Sequence, residues 1–121
     1  MESACRIPGC KTAVPAELDA DAQCPLHFTL SVEQRCAELR RETVGAPPDE
    51  GRRAEIVTYI GHAGQTLARL ATGELRLPDE MKARILATFL TLMNLRENMD
   101  RALARQRLRR EAEAKAKATN H

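Results

Sequence analysis

Residues 5–27 read CRIPGC-KTAVPAELDADAQ-CPLH, two short pairs of metal-binding side chains on either side of a thirteen-residue spacer. Gly9 can adopt a positive φ, so the Pro-Gly turn can direct Cys5 and Cys10 toward one point. Cys24 and His27 are three residues apart, which places both on one face of a starting helix. Thiolates and an imidazole are ligands that suit Zn²⁺ in a closed tetrahedral site. The sequence therefore predicts that these four residues bind one structural zinc ion.

The pattern of residues 5–27, Cys-x2-Pro-Gly-Cys followed by a polar loop and Cys-x2-His, resembles the short zinc knuckle of treble-clef type. Such knuckles are found in bacterial and phage proteins, for example at the front of some HNH-family endonucleases. The resemblance implies the same four zinc ligands, Cys5, Cys10, Cys24 and His27. It does not extend to the nuclease activity, because the remaining histidines, His62 and His121, do not lie in a His-Asn-His arrangement.

The cysteines would be available for two disulfides instead if the protein were exported. The chain begins Met-Glu-Ser-Ala without an apolar segment behind it, so we expect no export signal. Its longest apolar run, residues 85–95, contains polar residues and is too short to cross a bilayer. We therefore expect a cytoplasmic protein without a membrane contact, in which thiols stay reduced and cysteine pairs bind metal.

Composition and spacing predict an all-α fold behind the zinc knuckle, with 1–30 as the zinc-knuckle module and 31–121 as the helical region. The apolar residues are mostly helix formers, and runs of β-branched residues are missing. Three helices are predicted, at about residues 25–43, 50–72 and 78–117. A Gly-Ala-Pro-Pro linker within 44–49 separates the first two helices. The short connection before the third helix predicts an antiparallel hairpin whose third helix is overlong.

Apolar spacing also predicts which face of each helix is buried. In the first helix, Cys36 follows Phe28 and Val32 at helical spacing, so we expect it to be a core residue rather than a metal ligand. The second helix carries a heptad-like seam, and the third carries a wider face. The seam comprises Ile56, Ile60, Ala63, Leu67 and Leu70; the wider face comprises Met81, Ile85, Leu86, Phe89, Leu92, Met93, Leu95, Met99 and Leu103.

The end of the chain is basic. Residues 101–121 carry seven basic and two acidic side chains, although the whole chain has a formal net charge of only +2. Clustered arginines favour contact with phosphates, whereas a solvated helix end with interspersed Ala and Glu explains the same pattern without a ligand. No aromatic residue is interleaved for base stacking. Both interpretations stay open, and the candidate nucleic-acid contacts are Arg101, Arg105, Arg107, Arg109 and Arg110.

Two classes of function remain. The chain contains no phosphate-binding loop, no nucleophile motif and no helical His-Glu pair, so we expect neither an enzyme nor a small-molecule substrate. The first class is a zinc-binding helical interaction or oligomerisation module, a homodimer or a binder of another helical protein. Its basis is the face of the third helix, which is wider than one antiparallel neighbour buries. The alternative is that the first helix covers the remainder through Phe28, Val32 and Leu39. The second class is a nucleic-acid-binding regulator that uses the zinc knuckle and the basic helix.

Overall fold

The computed structural model of the protein describes residues 4–119. Three α-helices follow a short 3-10 helix, Ala16–Leu18: α1 is Pro25–Thr43, α2 is Glu50–Thr72 and α3 is Asp79–Thr119. Among the described residues there is no β-strand, and only an isolated bridge joins Ala4 to Ala13. The all-α prediction with three helices is confirmed. The bounds of α1 and α2 are those predicted, and α3 begins one residue later and ends two residues later.

Local signals account for the helix ends. Pro25 lies in the first turn of α1, where its missing N–H costs no hydrogen bond. The Asp49 carboxylate caps α2 by accepting a hydrogen bond of 2.8 Å from the backbone N–H of Arg52. Asp79 and Glu80 lie in the first turn of α3, where their charge is favourable with the helix dipole.

The three helices form an up-down-up bundle. Arg53 near the start of α2 contacts Asp100 on α3, whereas Gly64 further along α2 faces Phe89 on α3. Residue numbers therefore run in opposite directions along the α2–α3 contact, which makes it the predicted antiparallel hairpin. Glu33 contacts Arg84 on α3, and Arg40 lies near Leu95 and Met99, so α1 runs parallel to α3.

The buried faces of α1 and α2 are those that the spacing predicts. All five residues of the α2 seam are buried, as are Phe28, Val32, Cys36 and Leu39 on α1. Val14 and Leu18, which precede α1, join the same continuous core. Gly64 permits a close approach of the hairpin, because an added Cβ there would lie 3.3 Å from the terminal methyl of Met93.

The wide face of α3 is divided between two neighbours. Ile85, Leu92, Leu95 and Met99 are buried between α1 and α2. The α2 neighbour alone does not bury this face, as predicted, and α1 covers the other side of it. Leu86 is 49% exposed, and Leu90, which the spacing did not single out, is 61% exposed.

The last part of α3 extends past its neighbours. Among residues 104–119, all but Gln106 are exposed. We call this segment the basic extension. Of the basic end predicted over residues 101–121, residues 120 and 121 lie outside the described part of the chain. No helix within residues 4–119 combines the length and apolarity needed to cross a bilayer.

Candidate metal centre

The first pair of sulfurs is presented by a tight turn. Gly9 has a φ of 83°, in the region that favours glycine. The turn is closed by the Cys10 N–H, which donates to the Ile7 carbonyl at 3.0 Å. The Cys5 N–H donates to the Thr12 carbonyl at 3.0 Å. These bonds fold the chain back, so that both sulfurs reach the same site.

The second pair is presented by the start of α1. Cys24 is the N-cap residue, and the Phe28 N–H donates to the Cys24 carbonyl at 2.9 Å. His27 lies in the first turn, three residues after Cys24, and its ring faces the same side. The buried Gln23 donates through Nε2 to Ser31 Oγ at 2.9 Å and so ties the preceding loop to α1. Sequence reasoning missed this contact, since nothing in the spacing pairs these two residues.

The four predicted ligands come together. The three Sγ atoms and one ring nitrogen of His27 all lie within 4.8 Å of one another. His27 Nδ1 is 3.5 Å from Cys5 Sγ and 3.2 Å from Cys24 Sγ, and the sulfurs of Cys10 and Cys24 are 3.9 Å apart. A tetrahedral ion with Zn–S bonds of about 2.3 Å separates its sulfur ligands by about 3.8 Å. The cluster has the dimensions of a tetrahedral metal site.

Hydrogen bonds and burial act on the thiols in opposite directions. The backbone N–H and then the hydroxyl of Thr12 hydrogen-bond to the Cys10 sulfur and lower the pKa of this thiol to about 6. Burial raises the pKa of the Cys24 thiol, against a hydrogen bond from the His27 backbone. Cys10 and His27 are half-buried, whereas Cys5 and Cys24 are buried. A low thiol pKa favours metal binding, because the thiolate is the ligand form.

All four cysteines of the chain are free thiols in the structure. The Cys10–Cys24 sulfur separation is almost twice a disulfide bond length of about 2.05 Å. Cys36 is buried on α1 and does not belong to the cluster of potential ligands, which confirms its predicted place in the core. Three thiols and an imidazole without a disulfide are compatible with a bound metal ion.

The predicted nucleic-acid contacts lie at the opposite end of the bundle. The metal cluster is at the start of α1, whereas the five arginines are on α3 beyond the end of α1, because α1 and α3 run parallel. All five are exposed: Arg101, Arg105, Arg107, Arg109 and Arg110. Arg101 pairs with Glu97 one turn earlier. The other four form no ion pair within residues 4–119.

His62 is exposed on α2, as the sequence suggests, and lies outside the metal cluster. It lines a shallow depression with Tyr59 and Glu55. The structure thus brings together the four predicted metal ligands and leaves the third histidine, His121, outside the described residues.

Comparison of the chain with protein-family models, with curated proteins and with solved structures finds no match. The resemblance to the zinc knuckle of HNH-family proteins therefore rests on residues 5–27 alone. What the geometry supports is a Cys₃His cluster that can bind a metal, at one end of a small three-helix bundle.

Proposed function

We propose that this protein is a non-catalytic, zinc-binding helical module that forms a homodimer through the outer side of its α2–α3 hairpin. Zn²⁺ is the ion that best suits three thiolates and one imidazole in a tetrahedral arrangement. Four protein ligands leave no open position for water or substrate, so the ion has a structural role. Its binding stabilises residues 5–27, which have few large apolar side chains of their own.

An exposed apolar patch on α3 carries the proposal. Leu86 and Leu90 lie one helical turn apart and are 49% and 61% exposed. Phe89 and Met93 form the adjacent row and are only partly buried. We call Leu86, Phe89, Leu90 and Met93 the outer patch. Contiguous apolar side chains of this kind on a small domain are typical of an interface.

The surface beside the outer patch is shaped to receive it. A shallow groove of about 240 Å³ lies between α2 and α3, and Gly61, Gly64 and Ala68 form its α2 side. No atom lies within 4 Å of the place where a Cβ on Gly61 would sit, so this part of the groove is open. Protruding leucines and a groove on one face are self-complementary, as a two-fold symmetric dimer requires. In such a dimer, Leu90 of each copy packs against the small residues of the other.

The test is the mass of the native protein in solution. We expect size-exclusion chromatography with light scattering to give a dimer at micromolar concentration. A zinc-loaded protein that stays monomeric across all accessible concentrations would rule the dimer out.

A nucleic-acid-binding regulator is the second candidate, and the unpaired arginines of the basic extension favour it. Arg105, Arg107, Arg109 and Arg110 have no carboxylate partner within the described residues. If each neutralised one phosphate, the logarithm of the affinity for duplex DNA would fall with the logarithm of salt concentration with a slope of roughly −3.6. Weak binding with a shallow slope would argue against this function.

A further inference from the structure

A second cleft lies on the other side of α3, at the end of the bundle where α1 passes into the linker. It has a volume of about 380 Å³ and lies between the C-terminal turn of α1, the linker and α3. We call it the linker cleft. Its floor is apolar at Leu95 and Met99, which are 6% and 2% exposed, and at the half-buried Ala102, whereas Thr43 and Asn98 add polar groups to the lining. Val44 lies at its mouth and is 72% exposed.

Three guanidinium groups surround this apolar floor. Arg40 comes from α1, and Arg105 and Arg109 lie one turn apart on α3. None of the three forms an ion pair within residues 4–119, whereas the nearby Arg52 and Arg53 are paired with Glu42 and Asp100. No acidic residue among residues 4–119 lines the cleft. Its rim therefore carries positive charge that the described part of the chain does not neutralise.

A neighbouring cleft of similar size provides a contrast. It lies on the other side of the linker and includes Arg107 and Arg110 from the same helix. There the lining also contains the acidic residues Asp49 and Glu50. Acidic side chains on the lining repel an anionic ligand. The linker cleft therefore favours an anionic ligand more than its neighbour does.

We infer that the linker cleft binds a short acidic peptide segment that carries one apolar anchor side chain. Arginine guanidinium groups bind carboxylates in a bidentate manner, and three of them can engage acidic residues on both sides of an anchor. The anchor packs against Val44 and Ala102, above the floor of Leu95 and Met99. This surface is separate from the outer patch, which lies on the α2 side of α3.

The apolar floor favours a peptide over a nucleic acid. Phosphate backbones are bound by charge and hydrogen bonds and gain little from an apolar floor. Single-stranded bases are bound by stacking, chiefly on aromatic rings, and no aromatic residue among residues 4–119 lines the linker cleft. A peptide with both charge and an apolar side chain uses the guanidinium groups and the apolar residues of the cleft together.

The test measures binding of a fluorescein-labelled peptide of about ten residues, alternating Asp and Glu around a central Leu, to the zinc-loaded full chain by fluorescence anisotropy. Replacing both Arg105 and Arg109 with Gln should weaken binding about tenfold or more, which corresponds to about 1.4 kcal/mol. The matched control replaces Arg107 and Arg110 with Gln, which removes the same charge from the same helix. It should retain nearly native affinity. Equal weakening by both double variants would overturn the inference, because it would indicate unspecific charge attraction.

Two further ligands complete the test. A peptide with Ser in place of the central Leu should bind about tenfold more weakly to the native protein; equal binding would mean that the floor holds no anchor and would overturn the inference. A short DNA duplex that binds more tightly than the peptide, and loses affinity equally in both double variants, would overturn it in favour of nucleic-acid binding. Failure of the peptide to bind the native protein would also overturn it. None of these outcomes affects the proposed dimer, whose mass is measured without a ligand.

Discussion

Glu33 on α1 accepts two hydrogen bonds from Arg84 on α3, from Nε at 2.8 Å and from Nη2 at 2.9 Å, one to each carboxylate oxygen. The Thr88 hydroxyl lies 3.3 Å from the same carboxylate. This bidentate pair joins two residues that are 51 positions apart in sequence and links α1 to α3. Hydrogen bonds from Arg84 hold the pKa of Glu33 below its ordinary value of 4.5.

The lowered pKa predicts a pH dependence of stability. A carboxylate whose pKa is lower in the folded than in the unfolded protein stabilises the folded state at pH values above its unfolded-state pKa. This contribution is lost as the pH falls through the folded-state pKa. Glu33→Gln should therefore lower the urea midpoint at neutral pH and leave it nearly unchanged well below pH 4.5. The effect should be small, because both side chains are partly exposed.

The control for this prediction is Glu38→Gln. Glu38 pairs with Arg35 within α1, three residues apart, and joins no second helix. Its substitution should leave the urea midpoint almost unchanged at neutral pH. A difference between native protein and Glu33→Gln that persists unchanged at low pH would contradict the linkage argument.

The helices were predictable because their boundaries depend on local residues. Pro25, the linker prolines and Gly73 act within one turn of the chain, and the predicted bounds of α1 and α2 match the observed ones. The metal ligands were predictable for the same reason, since each pair is set by a turn or a first helical turn. Cys5 and His27 then meet, because both segments pack on the same core.

The buried face of α1 was predictable from spacing, but its contact with α3 was not predictable from local signals. Spacing suggests that Glu33 faces solvent, but the position is half-buried because Arg84 and Thr88 lie opposite it on α3. Nothing near Glu33 in sequence indicates this partner. For the same reason, spacing alone left open whether α1 covers part of the wide apolar face of α3; in the structure Leu95 and Met99 are buried on the α1 side.

Metal removal should affect the two ends of the molecule differently. Purified protein should contain about one zinc per chain, and chelation should unfold residues 5–24, since the turn and loop depend on the ligands for their arrangement. Most helicity should remain by circular dichroism, because the α2–α3 hairpin has its own buried seam. A zinc content far below one equivalent, or a complete loss of helicity on chelation, would contradict this prediction.

The two kinds of cysteine should respond differently to substitution. Cys36→Ala should leave the zinc content unchanged and cost about 1 kcal/mol of unfolding free energy, because it removes a buried sulfur from the core. Cys24→Ala should abolish stoichiometric zinc binding, because it removes one of the four ligands. Zinc analysis and urea unfolding of the two variants provide the comparison. Loss of zinc from Cys36→Ala would show that the ligand set is misassigned.

Two leucines on α3, two residues apart, should distinguish the core from the proposed dimer interface. Leu92 is fully buried, so Leu92→Glu places an unpaired charge in the core and should cost about 3 kcal/mol or more of unfolding free energy. Leu90 protrudes from the outer patch, so Leu90→Glu should leave the secondary structure and the zinc content intact. Light scattering should then show a monomer, because a charge in each copy would oppose burial of the patch.

Leu108→Glu is the matched control: it makes the same change on the same helix at a site that is 64% exposed, and it should remain a dimer. If light scattering gives the Leu90→Glu and Leu108→Glu proteins the same molar mass in solution, the interface does not lie at the outer patch.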